Sequence, residues 1–169
     1  MTGVFNLGKV LTDEECNSLA FEIMQADRAG IFRPEINTAL YGNTAVSAPF
    51  LPNKDELFER FTPIVENLIG KKVNPNTIFT RIYQNSSILN PHTDRPGLDW
   101  TISICLFSNI GFDWTLDVEL DDDTIIHLPT ITGYANLVNG RKLNHWREQL
   151  YCSDFGKVAQ TFLHFTEIQ

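Results

Sequence analysis

Residues 77–83 read Thr77-Ile78-Phe79-Thr80-Arg81-Ile82-Tyr83, a run of β-branched and aromatic residues that decides the fold. Similar short runs follow, bounded by Gly, Pro, Asn or Asp, at residues 100–107, 114–120, 124–128, 134–138, 143–147 and 158–165. Many short strands separated by turn residues predict a sandwich or a barrel. We therefore expect residues 77–169 to form a jelly-roll core.

The residues before this β-rich part, 1–70, are predicted to be helical support. Thr12 followed by Glu15 has the pattern of a capping box, and Cys16, Leu19 and Ile23 then recur at helical spacing. The pattern predicts a helix over about residues 12–27.

A second helix is predicted from Asn53 to Gly70, where glycine is a C-terminal stop. Pro63 is expected to split or kink it, because proline suits a first helical turn and not an interior. Between the helices, residues 30–52 contain prolines and glycines without a sustained period. A loop of this length is often functional, and we expect it to be a mobile lid.

Length and charge set limits on the class of protein. A chain of 169 residues fits a single domain, 1–169, that can bury its own core. Its 13 basic and 21 acidic residues give a net charge of −8, which repels phosphate backbones and anionic membranes. We expect no nucleic-acid partner and no membrane partner.

The cysteines indicate a reducing compartment. Cys16, Cys105 and Cys152 form no C-x-x-C pair and leave an odd count. The chain also lacks an apolar run long enough to cross a membrane, and its start has no basic region followed by an apolar one. These features predict a cytoplasmic protein.

A candidate metal site stands out among the polar residues. His92-Thr93-Asp94 places an imidazole and a carboxylate at i and i+2, which share one face of a strand, and His145 can join them from a later strand. Two imidazoles and one carboxylate on one face of a metal are the ligand set of non-haem Fe(II) oxygenases. The triplet alone is a weak signal, because such a triplet also arises by chance.

Several motifs together strengthen this interpretation. They are Arg81-Ile82-Tyr83, Asn90-Pro91-His92-Thr93-Asp94-Arg95-Pro96, Gly140, His145-Trp146-Arg147-Glu148 and Gln160-Thr161-Phe162-Leu163-His164-Phe165. In these motifs, and in the order of its N-terminal helices, the chain resembles the 2-oxoglutarate and Fe(II)-dependent dioxygenases of the prolyl 4-hydroxylase-like superfamily. The resemblance implies an α+β, mainly β fold: a double-stranded β-helix with N-terminal helices packed on one sheet.

The resemblance implies that His92, Asp94 and His145 bind the iron and form the catalytic centre. His127 is a competing distal ligand, but it follows an acidic run within a predicted hairpin. His164 lies on the last predicted strand, where a packed core histidine is the simpler interpretation.

The family also needs a cation for the distal carboxylate of 2-oxoglutarate. Arg147 is two positions after His145 and faces the same interior on a strand. Lys157, at the start of the last strand, matches the place where prolyl hydroxylases carry a lysine. Tyr83 is a further candidate for the same carboxylate, although an aromatic residue on a strand is more often core.

Other polar and aromatic residues have two interpretations each. Arg81 is either a charge near the site or a structural partner of a carboxylate such as Asp99, and Arg95 either orients its loop or contacts substrate. The acidic residues 117–123 are expected to form a solvated hairpin. Three tryptophans are candidates for the pocket wall or for the core: Trp100, Trp114 and Trp146.

The activity that the resemblance implies is hydroxylation of an unactivated C–H bond, with 2-oxoglutarate converted to succinate and CO2. Its cofactors are Fe(II), 2-oxoglutarate as cosubstrate and O2, with ascorbate as a supporting reductant. Peptide, protein and small-molecule substrates all stay open, and a prolyl or other amino-acid residue is the first class to test. The alternatives are a cupin-like metalloenzyme that does not use 2-oxoglutarate and a jelly-roll binding module with a degenerate site.

Overall fold

The structure is a computed structural model that describes residues 3–42 and 44–168, so the predicted domain limits at residues 1 and 169 lie outside it. The elements follow in the order β1 (Val4–Lys9), α1 (Asp13–Arg28), β2 (Arg33–Pro34), α2 (Thr38–Tyr41), β3 (Val46–Ala48), α3 (Lys54–Ile69), β4 (Val73–Gln84), β5 (Leu89–His92), β6 (Trp100–Ser108), β7 (Leu116–Glu119), β8 (Ile125–Leu128), β9 (Tyr134–Val138), β10 (His145–Arg147) and β11 (Lys157–Glu167).

The strands of the described residues form two antiparallel sheets. The larger has the order β1-β9-β6-β11-β4-β3-β2, and the smaller has the order β5-β10-β7-β8. Consecutive strands therefore alternate between sheets in much of the chain, as in a jelly roll. The predicted α+β, mainly β fold is confirmed.

Helices α1 and α3 pack on the outer face of the larger sheet. Their apolar stripes, with Ile23, Phe61 and Val65 fully buried, join a core to which the sheet contributes residues such as Ile82 and Ile102. The predicted packing of the helices on one sheet is thus confirmed. The capping box of α1 is also present, since Thr12 and Glu15 bond reciprocally.

Alternation along the strands separates this helix-facing core from the interior between the sheets. On β11, Ala159, Leu163 and Phe165 belong to the helix-facing core. Phe162 and His164, on the alternate positions, line a cavity on the other side of the sheet. Because side chains alternate along a strand, the parity of a residue decides which of the two layers it enters.

Strands β1 and β5 are two that the sequence did not predict, and the short β2 and β3 lie within the segment 30–52. Strand β1 lies where helical support was expected, and a register shift between Asn6 and Gly8, with Gly8 at a φ of 68°, interrupts its pattern. Strand β5 contains Asn90-Pro91, a pair of residues that is typical of turns. Because β5 is an edge strand, Pro91 is tolerated there despite its missing N–H group.

Helix α3 is not split at Pro63, the first of the two outcomes predicted for this proline. It runs unbroken from Lys54 to Ile69. Phe61 and Val65 flank the proline and are fully buried, so packing of this helical face outweighs the local cost of proline.

None of the helices within residues 3–42 and 44–168 is long and apolar enough to span a membrane.

Candidate metal centre and its cavity

The interior between the two sheets holds a cavity of about 430 Å³. Strands β4, β6 and β11 line one side of it, and the segment 30–52 contributes Glu35, Asn37, Leu40 and Tyr41 to its wall. Strand β3 ties this segment to β4 by antiparallel pairing. The predicted lid therefore lies against the cavity as an anchored wall.

The structure brings His92, Asp94 and His145 together at this cavity. His92 ends β5, and the pairing of β5 with β10 sets it directly opposite His145. Asp94 Oδ1 lies 3.8 Å from Nε2 of each histidine. All three residues line the cavity, and their ligand atoms lie within 4.8 Å of one another.

The two histidines are oriented for metal binding by their backbone contacts. Nδ1 of His92 lies 3.0 Å from the carbonyl of Asn90, and Nδ1 of His145 lies 3.0 Å from the carbonyl of Leu143. Donation from Nδ1 to these carbonyls leaves both Nε2 atoms free as ligands. Burial, together with the neighbouring His145, lowers the pKa of His92, which favours the neutral imidazole that a metal requires. The donor set therefore fits Fe(II).

Asp94 is held in place by its neighbours on β6 and after β9. Thr101 Oγ1 donates to Asp94 Oδ2 at 3.1 Å, and the Asp94 backbone N–H donates to the carbonyl of Gly140 at 2.7 Å. A Cβ at Gly140 would lie 2.1 Å from Asp94 Oδ2. Glycine is therefore required at position 140 by the space that the carboxylate occupies.

Arg147 lies deeper, behind the wall of the cavity. It is 2% exposed and donates to the carbonyl of Trp114, to Thr130 Oγ1 and, at 3.0 Å, to Gln160 Oε1. Gln160 Oε1 also accepts from Ser103, which lines the cavity. Within the part of the chain that the structure describes, Arg147 forms no ion pair and its Nε has no hydrogen-bond partner.

Lys157 is not brought to the cavity. It has the parity of Ala159 and Leu163, and so faces the helices, where its Nζ lies 3.5 Å from Asp27 Oδ2 of α1. The two candidate cations for the ketoacid are thus on opposite sides of the larger sheet, and only Arg147 faces the interior.

Tyr83 is fully buried between the two interior arginines. Its hydroxyl accepts from Arg81 Nη1 at 3.3 Å, and its ring packs edge-on against Trp114 with centroids 4.9 Å apart. The three tryptophans do not line the cavity: Trp114 packs in this interior core, Trp100 joins the helix-facing core, and Trp146 contacts Glu148.

Arg81 pairs with Glu35. The sequence suggested a carboxylate partner such as Asp99, which Arg81 does not contact. Arg81 Nε lies 2.5 Å from Glu35 Oε1, and both side chains are 8% exposed. Asp99 instead accepts the backbone N–H of Glu167. Burial opposes the charge on Arg81, but Tyr83 and Glu35 outweigh it and raise the pKa of the guanidinium.

The remaining histidine candidates occupy different environments. His127 lies 2.8 Å from Asp117 on β7 and does not line the cavity. Asp117 is 6% exposed, so the expectation of a fully solvated acidic hairpin is wrong at this residue. His164 lines the cavity near Asp94, and its buried Nδ1 has no hydrogen-bond partner among the described residues.

Sequence reasoning missed four polar residues of this interior: Glu35, Thr101, Ser103 and Gln160. Thr101 and Ser103 alternate with the apolar residues of β6, and Gln160 is a buried amide on β11. Polar residues in central, buried strands are uncommon, so this alternation was an available signal. Glu35 gave no such signal, because its segment has no period.

Comparisons with known proteins support the fold. No protein-family model matches this sequence, and no curated protein matches it. Among solved structures, the chain is similar to a prolyl 4-hydroxylase from Pseudomonas putida, with a TM-score of 0.72, 14% identity, and coverage of 99% of this chain and 94% of the other.

Two further structures have comparable similarity. A prolyl hydroxylase from Trichoplax adhaerens, in complex with a peptide fragment of hypoxia inducible factor, has a TM-score of 0.73 and 14% identity, covering 98% of this chain and 84% of the other. The non-heme α-ketoglutarate-dependent carbocyclase SnoK from nogalamycin biosynthesis has a TM-score of 0.76 and 12% identity, covering 98% and 80%. The chain has the fold of the 2-oxoglutarate and Fe(II)-dependent oxygenases, and this fold is similar to that of the prolyl 4-hydroxylases.

Gly140→Ala is expected to lower the affinity for divalent metal by roughly 10- to 100-fold, because the new methyl group displaces the Asp94 carboxylate. Calorimetric titration with Fe(II) in the absence of oxygen measures the affinity. Gly111→Ala is the control for a glycine-to-alanine change away from the triad: a Cβ there meets no atom within 4 Å, and its φ of 78° places the strain in a turn that does not line the cavity. Unchanged metal affinity in Gly140→Ala would contradict the assignment of this glycine.

Burial lowers the pKa of His164 to about 4, whereas an imidazole in the unfolded chain titrates near 6.5. The imidazole of His164 therefore binds a proton more tightly in the unfolded chain than in the folded protein. The free energy of unfolding, which is highest above pH 6.5, decreases for this reason as the pH falls toward 4. We expect His164→Gln to reduce this loss by about 2 kcal/mol, after allowance for partial solvent screening. Urea unfolding of the metal-free protein across this range measures it, and an equal loss in both proteins would refute the prediction.

Proposed function

We propose that this protein is an Fe(II)- and 2-oxoglutarate-dependent oxygenase that hydroxylates an unactivated C–H bond and releases succinate and CO2. One observation carries the proposal: the ligand atoms of His92, Asp94 and His145 converge at one cavity. Arg147, two positions after His145, is buried and has no acid partner among the described residues. The similarity of the fold to known oxygenases supports it.

In this proposal the triad holds Fe(II), with one oxygen of Asp94 and Nε2 of each histidine as ligands. Bound iron supplies the activation of O2, coupled to oxidative decarboxylation of the ketoacid. The backbone carbonyls of Asn90 and Leu143 fix the tautomers of the two imidazoles, and Thr101 orients the carboxylate. The chain would supply three ligands to the iron, and the ketoacid and oxygen would bind on the side of the cavity.

Arg147 is our choice for the distal carboxylate of 2-oxoglutarate. Burial lowers the pKa of its guanidinium, and a buried cation without a counter-charge is costly. A carboxylate ligand relieves that cost and pairs well with the planar guanidinium. Ser103 and Gln160 connect the cavity to Arg147 by hydrogen bonds and give the ligand a polar path toward it.

The cavity walls support chemistry that must exclude water. Apolar side chains from the lid segment and the sheets, including Leu40, Phe79 and Phe162, line it beside the triad. A cavity of about 430 Å³ is of the size that small molecules occupy. A small molecule or a single amino-acid residue, prolyl or other, is the substrate class that this volume favours, with no role for nucleic acid.

We also propose that the enzyme works in the cytoplasm, since Cys16, Cys105 and Cys152 are all free thiols.

A metalloenzyme that does not use 2-oxoglutarate is a second candidate. One observation favours it: Arg147 is already held by three hydrogen bonds and does not itself line the cavity. The two candidates differ in whether the ketoacid is consumed.

Purified protein is expected to convert 2-oxoglutarate to succinate only when Fe(II) and O2 are both supplied, with ascorbate as a supporting reductant. Asp94→Ala is expected to abolish succinate formation, because it removes the anionic ligand. Asp154→Ala, at an exposed position outside the cavity, is the matched control. Iron-loaded protein that never decarboxylates the ketoacid with any candidate substrate would count decisively against the proposed function.

Arg147→Gln is expected to weaken 2-oxoglutarate binding by roughly tenfold or more, because it removes the positive charge and the paired N–H donors of the guanidinium. Fe(II) affinity should be unchanged, which separates loss of the ketoacid site from loss of the fold. Lys157→Gln is the matched control, because Lys157 faces α1. Calorimetry on Fe(II)-loaded protein without oxygen measures both affinities, and a larger loss in Lys157→Gln would reverse the assignment.

A further inference from the structure

The wall of the cavity also carries an ion pair, separate from the triad, that the proposed function does not use. Arg81 on β4 and Glu35 on the lid segment form an ion pair, and both residues line the cavity. Tyr41 lies across the guanidinium, with Arg81 Cζ 3.9 Å from the centre of its ring. The pair is thus held in one orientation at the cavity wall.

The ion pair leaves bonding capacity on both partners. Arg81 donates from Nε to Glu35 and from Nη1 to Tyr83, which uses two of the five N–H groups of a guanidinium. Among residues 3–42 and 44–168, no donor is found for Oε2 of Glu35, and Arg81 keeps N–H groups beyond those that reach Glu35, Tyr83 and Tyr41. One wall of the cavity therefore presents a donor edge beside an acceptor oxygen.

A purely structural role explains this pair poorly. A buried ion pair contributes little to stability compared with apolar residues of similar volume. Strand β3 already joins the lid segment to β4 by backbone hydrogen bonds. The pair is therefore not needed to attach the segment to the sheet.

The charges of the pair select one class of ligand. A simple anion is attracted by Arg81 but repelled by Glu35, and a simple cation meets the opposite pair of forces. A molecule with a carboxylate next to an ammonium group satisfies both charges at once, with the carboxylate on Arg81 and the ammonium on Glu35. A free α-amino acid has this arrangement, whereas a residue within a peptide chain has neither charge.

We propose that Arg81 and Glu35 bind the carboxylate and ammonium groups of a free α-amino acid, whose side chain then extends toward the triad. The inference rests on the proposed function for the reaction itself, and it deepens that function by naming a free amino acid as the substrate class. The cavity volume of about 430 Å³ accommodates small molecules and agrees with a substrate of this size.

The test is calorimetric titration of the standard free α-amino acids into protein loaded with Fe(II) and 2-oxoglutarate in the absence of oxygen. At least one amino acid is expected to bind. Its amide, which lacks the carboxylate charge, and its N-acetyl derivative, which lacks the ammonium charge, are each expected to bind roughly tenfold more weakly or worse. This comparison uses the unaltered protein and therefore does not depend on how a variant folds.

Variants test the two residues directly. Glu35→Gln keeps a hydrogen-bond acceptor for Arg81 but removes the charge that faces the ammonium group. The double variant Glu35→Gln with Arg81→Gln removes both charges, so neither partner is left as an unpaired charge. Both are expected to weaken amino-acid binding roughly tenfold or more while Fe(II) and 2-oxoglutarate affinities stay within about twofold. Arg60→Gln, which breaks a surface ion pair with Glu15, is the matched control.

Several results would overturn the inference. These are the absence of binding by any free amino acid, equal binding of the amide and N-acetyl derivatives, and loss of 2-oxoglutarate affinity in place of amino-acid affinity in the double variant. Binding that depends on both charges without succinate formation would overturn the proposed function but leave this inference standing. Succinate formation without amino-acid binding would do the reverse.

Discussion

The antiparallel pairing of β5 with β10 is the constraint on which the rest of the site depends. It sets His92 directly opposite His145 and thereby fixes the distance between two ligands that are far apart in sequence. Asp94 follows His92 closely enough to complete the group, and Gly140 leaves the space that its carboxylate needs. A short edge strand therefore decides whether a metal can bind at all.

The interior between the sheets arranges its polar groups in successive layers. The triad and the Arg81–Glu35 pair face the cavity, whereas Arg147 lies behind them and reaches the cavity through Gln160 and Ser103. Tyr83 separates the two arginines, so each has its own surroundings. In the function and the ligand that we propose, this separation gives each of the two carboxylates its own cation.

Much of the fold follows from local patterns, and much of the site does not. Helices α1 and α3 and most strands were predictable because their local patterns are strong, whereas the four-residue helix α2 lies in a segment without a period. The resemblance named the three residues of the triad as candidate metal ligands. Lys157 shares the parity of Ala159 and Leu163 on β11, so alternation along the strand places it on the helix-facing side. The partner of Arg81 was not predictable, because Glu35 lies in an aperiodic segment whose path is set by tertiary contacts.

The proline in β5 also affects how the molecule behaves among its neighbours. An edge strand exposes backbone groups that can pair with a strand of another chain, and this is a common route to aggregation. Pro91 lacks an N–H group and so interrupts the row of donors along this edge. The strand that carries His92 is thereby a poor template for intermolecular sheet growth.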